Sequence, residues 1–339
     1  MAVEPLSVVD ADTLLSSPLR QPTFVVEGLL SQGVHILCGA SKIGKSWLVL
    51  WLALQVAQGL PVWDLKTLPC QVLYLCLEDT HSRIQSRLFH LTDQAPSNLL
   101  FSVWCQQLGH GLQEQLEGHL RQFPQTRLII IDTLQKVRDN AGSRGSLYAA
   151  DYSDMAALKQ LADRHNVCIL LVHHLRKLTD SADPFNEVSG STGIQGAADS
   201  TLLLKRSSRA GEEATLLATG RDIAYQQLTL RFSDCRWHLV ERKDSDTLAM
   251  EEIPPFLFRL LKFIQQQGHW AGSATALLTA MGETEVTANN VTKLIARYWE
   301  RALAPQKITY TTRRTAAERL LFLTVAHDGN DGNDSKFSI

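Results

Sequence analysis

None of the six cysteines (Cys38, Cys70, Cys76, Cys105, Cys168 and Cys235) stands in a C-x-x-C pair, so a zinc site is not indicated. No apolar run reaches the ~18 residues of a membrane-spanning helix, and no secretory leader opens the chain. The expectation is a soluble cytoplasmic protein with reduced thiols. Cys38, Cys76 and Cys168 lie in apolar strand-like runs, where cysteine acts as a small hydrophobe. Net charge is only −2 over 339 residues. A uniformly basic nucleic-acid coat is thereby excluded, and any nucleic-acid contact must come from a local patch. No internal repeat is visible. Hydrophobic residues, at 45%, are too many for global disorder, and the length suits roughly two domains of ~100–200 residues.

What is present is concentrated in Gly39-Ala40-Ser41-Lys42-Ile43-Gly44-Lys45-Ser46, which fits the phosphate-loop pattern G-x-x-x-x-G-K-[ST] at every fixed position. Its context fits as well. A strand-like run, Gly33–Cys38, precedes it, and a helical run, Trp47–Ala57, follows. Strand, glycine loop and helix set a row of backbone N–H groups and a positive helix end around an anion. Lys45 can reach the β- and γ-phosphates, and the Ser46 hydroxyl can ligate Mg²⁺. Gly39 through Ser46, with Trp47 behind them, are therefore the nucleotide-contact candidates, and ATP with Mg²⁺ is the expected ligand.

Five short apolar runs read as strands buried on both faces: Val34–Cys38, Val72–Leu77, Leu128–Ile131, Cys168–Val172 and Thr201–Leu204. Helical patterns at Trp47–Ala57, Arg83–Leu91, Leu112–Gln122 and Ser153–His165 alternate with them, which predicts a layered α/β domain on a parallel sheet. Ala214–Thr219 and Gln227–Phe232 suggest an antiparallel hairpin extending it, and 237–240 a closing strand. The expected organisation is an arm over 1–22, an ATPase domain over 23–240, a charged linker over 241–255, a second domain over 256–325 and a disordered tail over 326–339.

Hydrolysis needs an acid for the metal, a group that activates water, and positive charge for the transition state. The strand Arg127–Ile131 ends in Asp132, the Walker B form, which would act on Mg²⁺ with Ser46; a turn-capping aspartate is the alternative. Val72–Leu77 ends in Glu78 and Asp79. Glu78 suits a general base on the rim where α/β sheets bind ligands; a helix-start acid is the alternative and fits Asp79 better. Ile169–Val172 leads to His173 and His174. His174, preferred over His173, could sense the γ-phosphate; a histidine pair satisfied by backbone groups is the alternative. The small residues Ser189-Gly190-Ser191-Thr192-Gly193 suit a loop facing a ring channel, or simply a turn. Arg221, ahead of Arg206, is the arginine-finger candidate; either could be a surface arginine paired with an acid.

This combination resembles the RecA-like ATPase core of hexameric helicases. It is most similar to the RepA-like group of plasmids, prophages and other mobile elements, related to the DnaB type. The resemblance rests on Gly39–Ser46, Leu73–Asp79, Ile129–Leu134, Val172-His173-His174 with Arg176-Lys177, and Thr219-Gly220-Arg221-Asp222, and spans residues 22–240. The acid after the second strand and the paired histidines argue against kinase and small-GTPase versions of the loop. The resemblance implies a homohexameric ring with ATP at subunit interfaces, Glu78 as base, and His174 coupling the γ-phosphate to DNA-binding loops. Thr219 stands where DnaB-type rings carry a lysine two residues before the finger. The short arm leaves no room for a loader- or primase-binding domain ahead of the core.

Residues 256–325 read as helices Phe256–Gln267, Ser273–Met281 and Thr287–Glu300, then strands Lys307–Thr312 and Leu320–Val325: a winged-helix pattern, with Ser273 and Thr287 as N-caps. This stretch carries nine basic and four acidic side chains. Asn289, Lys293 and Arg297 recur at i, i+4 and i+8 with Asn290 beside them. Asn290, Lys293 and Arg297 on the helix, and Arg313 and Arg314 on the wing beside Tyr310, are DNA-contact candidates; a protein-binding face is the alternative. Trp270 and Trp299 read as core. The leading expectation is an ATP-dependent DNA helicase or translocase in mobile-element replication, acting on single-stranded DNA and, through the C-terminal domain, on duplex. The alternative is a nucleotide-controlled DNA-binding regulator or DNA-maintenance ATPase without unwinding. A recombinase-type filament fits less well, since no separate polymerisation domain precedes the core.

Overall fold

The computed structural model describes residues 8–16, 22–138, 147–175, 183–189, 192–206, 211–251, 253–315 and 318–326. Arg176, Lys177, Gly190 and Ser191, along with the tail beyond 326, lie outside the described residues. The chain divides into two compact units, 1–243 and 244–339.

In the first unit, helix α1 (Ala11–Ser16) is followed by a small ribbon of β1 (Phe24–Val26) and β2 (Leu30–Ser31). Then come β3 (Gly33–Gly39), α2 (Lys45–Gln58), β4 (Gln71–Cys76), α3 (His81–Leu91), β5 (Leu99–Ser102), α4 (Leu112–Gln122) and β6 (Thr126–Asp132). After these follow α5 (Leu134–Val137), α6 (Leu147–His165), β7 (Cys168–His174), α7 (Thr192–Ala197), β8 (Ser200–Arg206), β9 (Glu213–Gly220), β10 (Gln226–Ser233) and β11 (Arg236–Asp244). Nine strands form one sheet in the order β11-β10-β9-β8-β3-β7-β6-β4-β5. From β8 to β5 every neighbouring pair is parallel. β9 pairs antiparallel with β8 and β10, as the hairpin pattern predicts.

Why these runs become central strands is visible in how they bury. Along β4, Val72, Tyr74 and Cys76 enter one core while Leu73 and Leu75 enter the other. β6 divides Leu128 and Ile130 from Ile129 and Ile131 in the same way. This period of two on a sheet covered on both faces requires continuous apolar runs. α2 fills the first core with Leu48, Val49, Leu52 and Val56; α4 and α6 fill the second with Leu112, Leu116, Met155 and Leu158. α2 stops at Gly59, whose φ of 68° closes the helix with N–H bonds to Gln55 and Val56.

Three local readings are corrected. β5 is an additional strand: its four residues at the sheet edge are only partly buried, so their apolar signal is short. α6 starts at Leu147 rather than Ser153; Tyr148 and Tyr152 in its first turns are exposed and give no core-facing periodicity. Over 241–255, the charged residues include the end of β11 and helix α8 (Ser245–Glu251).

The second unit has its own core. Helix α9 (Pro255–Gln267) buries Phe256, Leu260 and Ile264 at helical spacing. β12 (His269–Ser273), α10 (Ala274–Met281), α11 (Ala288–Tyr298), β13 (Ile308–Arg314) and β14 (Arg319–Val325) follow. The strands form a sheet ordered β12-β14-β13, so β12 is a third strand where the sequence suggested two. Ser273 caps α10 by accepting the Ala276 N–H at 3.3 Å, while Thr287 occupies the cap of α11 without a side-chain bond. Trp270 and Trp299 pack against this core, and the Trp299 indole donates to the Ile308 carbonyl at 3.0 Å.

His35 on β3 is 1% exposed; its Nδ1 meets Ser200 Oγ at 2.6 Å and its Nε2 the Ser31 carbonyl at 2.7 Å. Burial holds His35, and likewise His173 on β7, at a pKa of about 4 against an ordinary 6.5. Unfolded chains take up these two protons as pH falls below 6.5, whereas the folded protein resists until about 4. Stability is therefore full above pH 6.5 and falls across that window, by about 1.4 kcal/mol per pH unit for each histidine. Urea unfolding at a series of pH values is expected to show this slope, and His35→Gln to reduce it by about one proton.

Candidate nucleotide site

The parallel register assembles the site. Gly39, the last residue of β3, lies opposite His174 on β7 and Leu204 on β8. Asp132 lies opposite Val172 on one side and Cys76 on the other. The phosphate loop, Glu78, Asp132 and His174 thus leave adjacent strands at one sheet edge, where α/β folds bind ligands.

The loop has the backbone that a phosphate cradle needs. Gly44 has φ 105° and Lys42 φ 64°. A Cβ on Gly39 would stand 2.9 Å from the Leu204 carbonyl oxygen, so only glycine fits between the strands there. Ala40, Ser41 and Lys42 are exposed, and Ile43 is anchored in the core. Lys45 is buried, with Nζ donating to the Gly39 carbonyl at 2.7 Å and the Ala40 carbonyl at 2.9 Å. Burial lowers its pKa, and the nearby Asp132 opposes that. Its ammonium therefore sits inside the loop that a polyphosphate would fill. Trp47 packs outside, beneath the Arg87 guanidinium at 5.5 Å.

Asp132 is 5% exposed. Burial raises its pKa, while hydrogen bonds from Ser46 and Tyr74 lower it. The Tyr74 hydroxyl donates to Asp132 Oδ2 at 3.0 Å. Ser46 and Asp132 are hard oxygen donors in contact, suited to a magnesium ion that takes its other ligands from phosphates and water. Among the described residues no group of three or more His, Cys, Asp or Glu forms a separate metal cage.

The two acids after β4 divide their tasks. Asp79 pairs with Arg83 at 3.1 Å and with Arg87, tying down the start of α3. Glu78 is exposed on the rim, with the Thr133 hydroxyl 3.5 Å from its Oε1. The two histidines divide similarly. His173 is buried, its Nε2 meeting the Ser189 carbonyl at 3.0 Å. His174 faces the loop, with Nδ1 3.5 Å from Ser41 Oγ. Burial and then Lys45 lower the His174 pKa, so its imidazole is neutral at neutral pH.

The two arginines go to opposite edges. β9 runs antiparallel, and its last residue, Gly220, lies opposite Ser200 at the start of β8. Arg221 therefore emerges about 20 Å from its own phosphate loop, at ~3.3 Å per residue. It is anchored there: its N–H donates to the Asp199 carbonyl at 2.8 Å, its Nη2 to the Gly196 carbonyl at 3.2 Å, and its Nη1 lies 3.7 Å from Asp199 Oδ1. The side chain is still 60% exposed. Arg206 ends β8 on the phosphate-loop edge, its guanidinium 4.8 Å above the Trp237 ring, stacked inside its own subunit.

Tyr74, Thr133, Asp199 and Trp237 were not singled out from the sequence. Tyr74 looks like one more apolar strand residue, and only the β4–β6 register brings it to Asp132. Asp199 and Trp237 carry no motif spacing at all.

Within the second unit, Asn290, Lys293 and Arg297 are exposed along α11, and Arg313 and Arg314 at the end of β13. Arg259 is taken by Glu283 and Glu285, at 2.7 Å each.

The AAA domain family profile matches residues 2–180. Among solved structures, an isolated ATPase domain matches with a TM-score of 0.51 and 15% identity, over 62% of this chain and 85% of its own. A DnaB-like replicative helicase, solved for its interactions with primase, matches with a TM-score of 0.54 and 15% identity, over 69% of this chain and 68% of its own. No curated protein matches the sequence. With its phosphate loop, its Walker B acid and a sheet of this order, the chain belongs to the AAA domain family and is an ATPase of the RecA-like, helicase-type fold.

Proposed function

We propose that this chain is an ATP-driven DNA helicase or translocase of RepA/DnaB-like type, working in the cytoplasm as a homo-oligomeric, hexameric ring in mobile-element replication. The observation that carries the reading is Arg221: exposed, anchored, and at the edge remote from its own phosphate loop. An arginine held so firmly away from its own nucleotide serves one bound by a neighbouring copy. The similarity to a solved DnaB-like replicative helicase and to a solved ATPase domain supports the helicase class. A winged-helix reading of 256–325, with its exposed Asn290, Lys293, Arg297, Arg313 and Arg314, supports a DNA contact.

The residues then act as follows. Lys45 exchanges its loop carbonyls for the β- and γ-phosphates. Ser46 and Asp132 hold Mg²⁺, which neutralises charge on the phosphates. Glu78, steadied by the Thr133 hydroxyl, accepts the proton of the attacking water. Neutral His174 reads the presence of the γ-phosphate from the other side of the loop. Arg221 of the adjacent copy stabilises the transition-state charge.

Glu78→Gln is expected to bind ATP with unchanged affinity and to lose about 10²–10⁴ in turnover; full turnover would remove the proposed base. Lys45→Ala and Arg221→Ala, each inactive alone, are expected to regain partial ATPase when mixed, because some interfaces then join an intact loop to an intact arginine. No regain at any ratio would sink interface catalysis. The ATPase rate per subunit, with and without single-stranded DNA across a dilution series, tests the whole reading. A DNA-stimulated rate that collapses on dilution is expected. A rate indifferent to both would favour a DNA-binding regulator without unwinding.

A further inference from the structure

Trp237 on β11 is remote in sequence from the phosphate loop, yet its indole Nε1–H donates to the Gly44 carbonyl at 3.2 Å. That carbonyl also accepts the first helical N–H of α2, from Leu48 at 3.1 Å. The indole is 1% exposed. Gly44 needs its positive φ, and a Cβ there would stand 3.2 Å from the Trp237 ring, so the glycine and the indole are fitted to each other. The ring itself is held from several sides. Phe232 packs at 5.0 Å between centroids, and the Arg206 guanidinium lies over Trp237 at 4.8 Å and over Phe232 at 5.5 Å. The Trp237 carbonyl accepts the Trp63 indole N–H at 2.7 Å. Strand β11 thus delivers a rigid donor to the turn where the phosphate loop becomes helix.

We propose that Trp237 is a positioning residue for ATP binding: it holds the Gly44 turn in its phosphate-binding conformation, with Arg206 clamping the indole from the ring face. The physical need is clear. A glycine at φ 105° has many other conformations open to it. The cradle works only when the N–H groups of Gly44, Lys45 and Ser46 converge. An indole bond to the one carbonyl at that turn selects the convergent conformation before the nucleotide arrives, which removes an ordering cost from binding. A cation over the indole draws electron density from the ring and sharpens its N–H as a donor. Because the turn is the same for ADP and ATP, the effect falls on affinity and not on the chemical step. The inference rests on the ATP site alone and is independent of ring assembly.

Trp237→Phe in the full chain tests it, since the aromatic packing stays and the N–H bond goes. MgADP titration, steady-state kinetics and amide hydrogen exchange of the segment 39–50 are the readouts. The dissociation constant for MgADP and the KM for ATP are expected to rise about tenfold, equivalent to about 1.4 kcal/mol. With this, kcat should stay within about twofold, and exchange across Gly44–Leu48 should speed up in the nucleotide-free protein. Trp299→Phe, which deletes an indole–carbonyl bond in the second unit, should leave all three readouts unchanged. Unchanged affinity and exchange in Trp237→Phe would overturn the proposal, as would a fall in kcat at unchanged affinity. Should Trp237→Phe lose cooperative unfolding, Arg206→Met carries the test, with the same direction at about threefold. A lower kcat at intact affinity in that variant would make Arg206 a transition-state group and overturn the assignment, as would no change.

Discussion

Register among β3, β7, β6 and β4 is the constraint on which the site depends. Because successive side chains point to opposite faces, a slip of one residue would turn each strand's core set to the wrong side. The two cores hold β4 and β6 by alternate residues, so a slip would misplace Val72 and Leu73, or Ile130 and Ile131, together. With register fixed by burial, Gly39, His174, Asp132 and the turn carrying Glu78 arrive at one edge without any of them contributing to the choice. Catalytic geometry is inherited from hydrophobic packing.

The edge so formed concentrates charge where water is scarce. Lys45 and Asp132 are both nearly sealed, and burying ions is costly unless they are paired or hydrogen-bonded. Each has partners: loop carbonyls for the lysine, Ser46 and Tyr74 for the aspartate. These partners are all groups that a magnesium-bound triphosphate can replace or join. The acids and histidines nearby are sorted by the same logic. Asp79 and His173 are committed to structure, and Glu78 and His174 are left facing the loop.

Asp199 organises the opposite edge. Its carboxylate accepts the Val34 N–H at 2.8 Å and pairs with Lys159 at 2.8 Å. Its backbone binds Val34 and Arg221. Gly33 and Gly220 leave room for it, since a Cβ on either would approach within 2.6 Å. Gly196, the second anchor of Arg221, lies in α7, on the same connection that begins at His174. The arginine offered outward is thus tethered to the segment that follows the loop-facing histidine. The antiparallel strands β9 to β11, an appendage by sequence, set both this arginine and the indole behind Gly44.

What the sequence determined by itself was chemical and local. The phosphate loop needs its glycines and lysine at fixed spacing. Apolar runs on both faces require a parallel sheet, and Asp132 and Glu78 announce themselves by ending such runs. The helices of the second unit were legible from their period, whereas β12, short and half-exposed with a glycine at Gly272, was not. Tertiary structure decided which of two similar residues does which task. His174 rather than His173 faces the loop because an odd number of residues separates strand end from core. Arg221 and Arg206 part company because β9 runs opposite to β8. Tyr74, Asp199 and Trp237 join their sites across 58, 22 and 193 positions of chain. No local pattern encodes contacts at those separations, because they exist only once the sheet has fixed strand order and register.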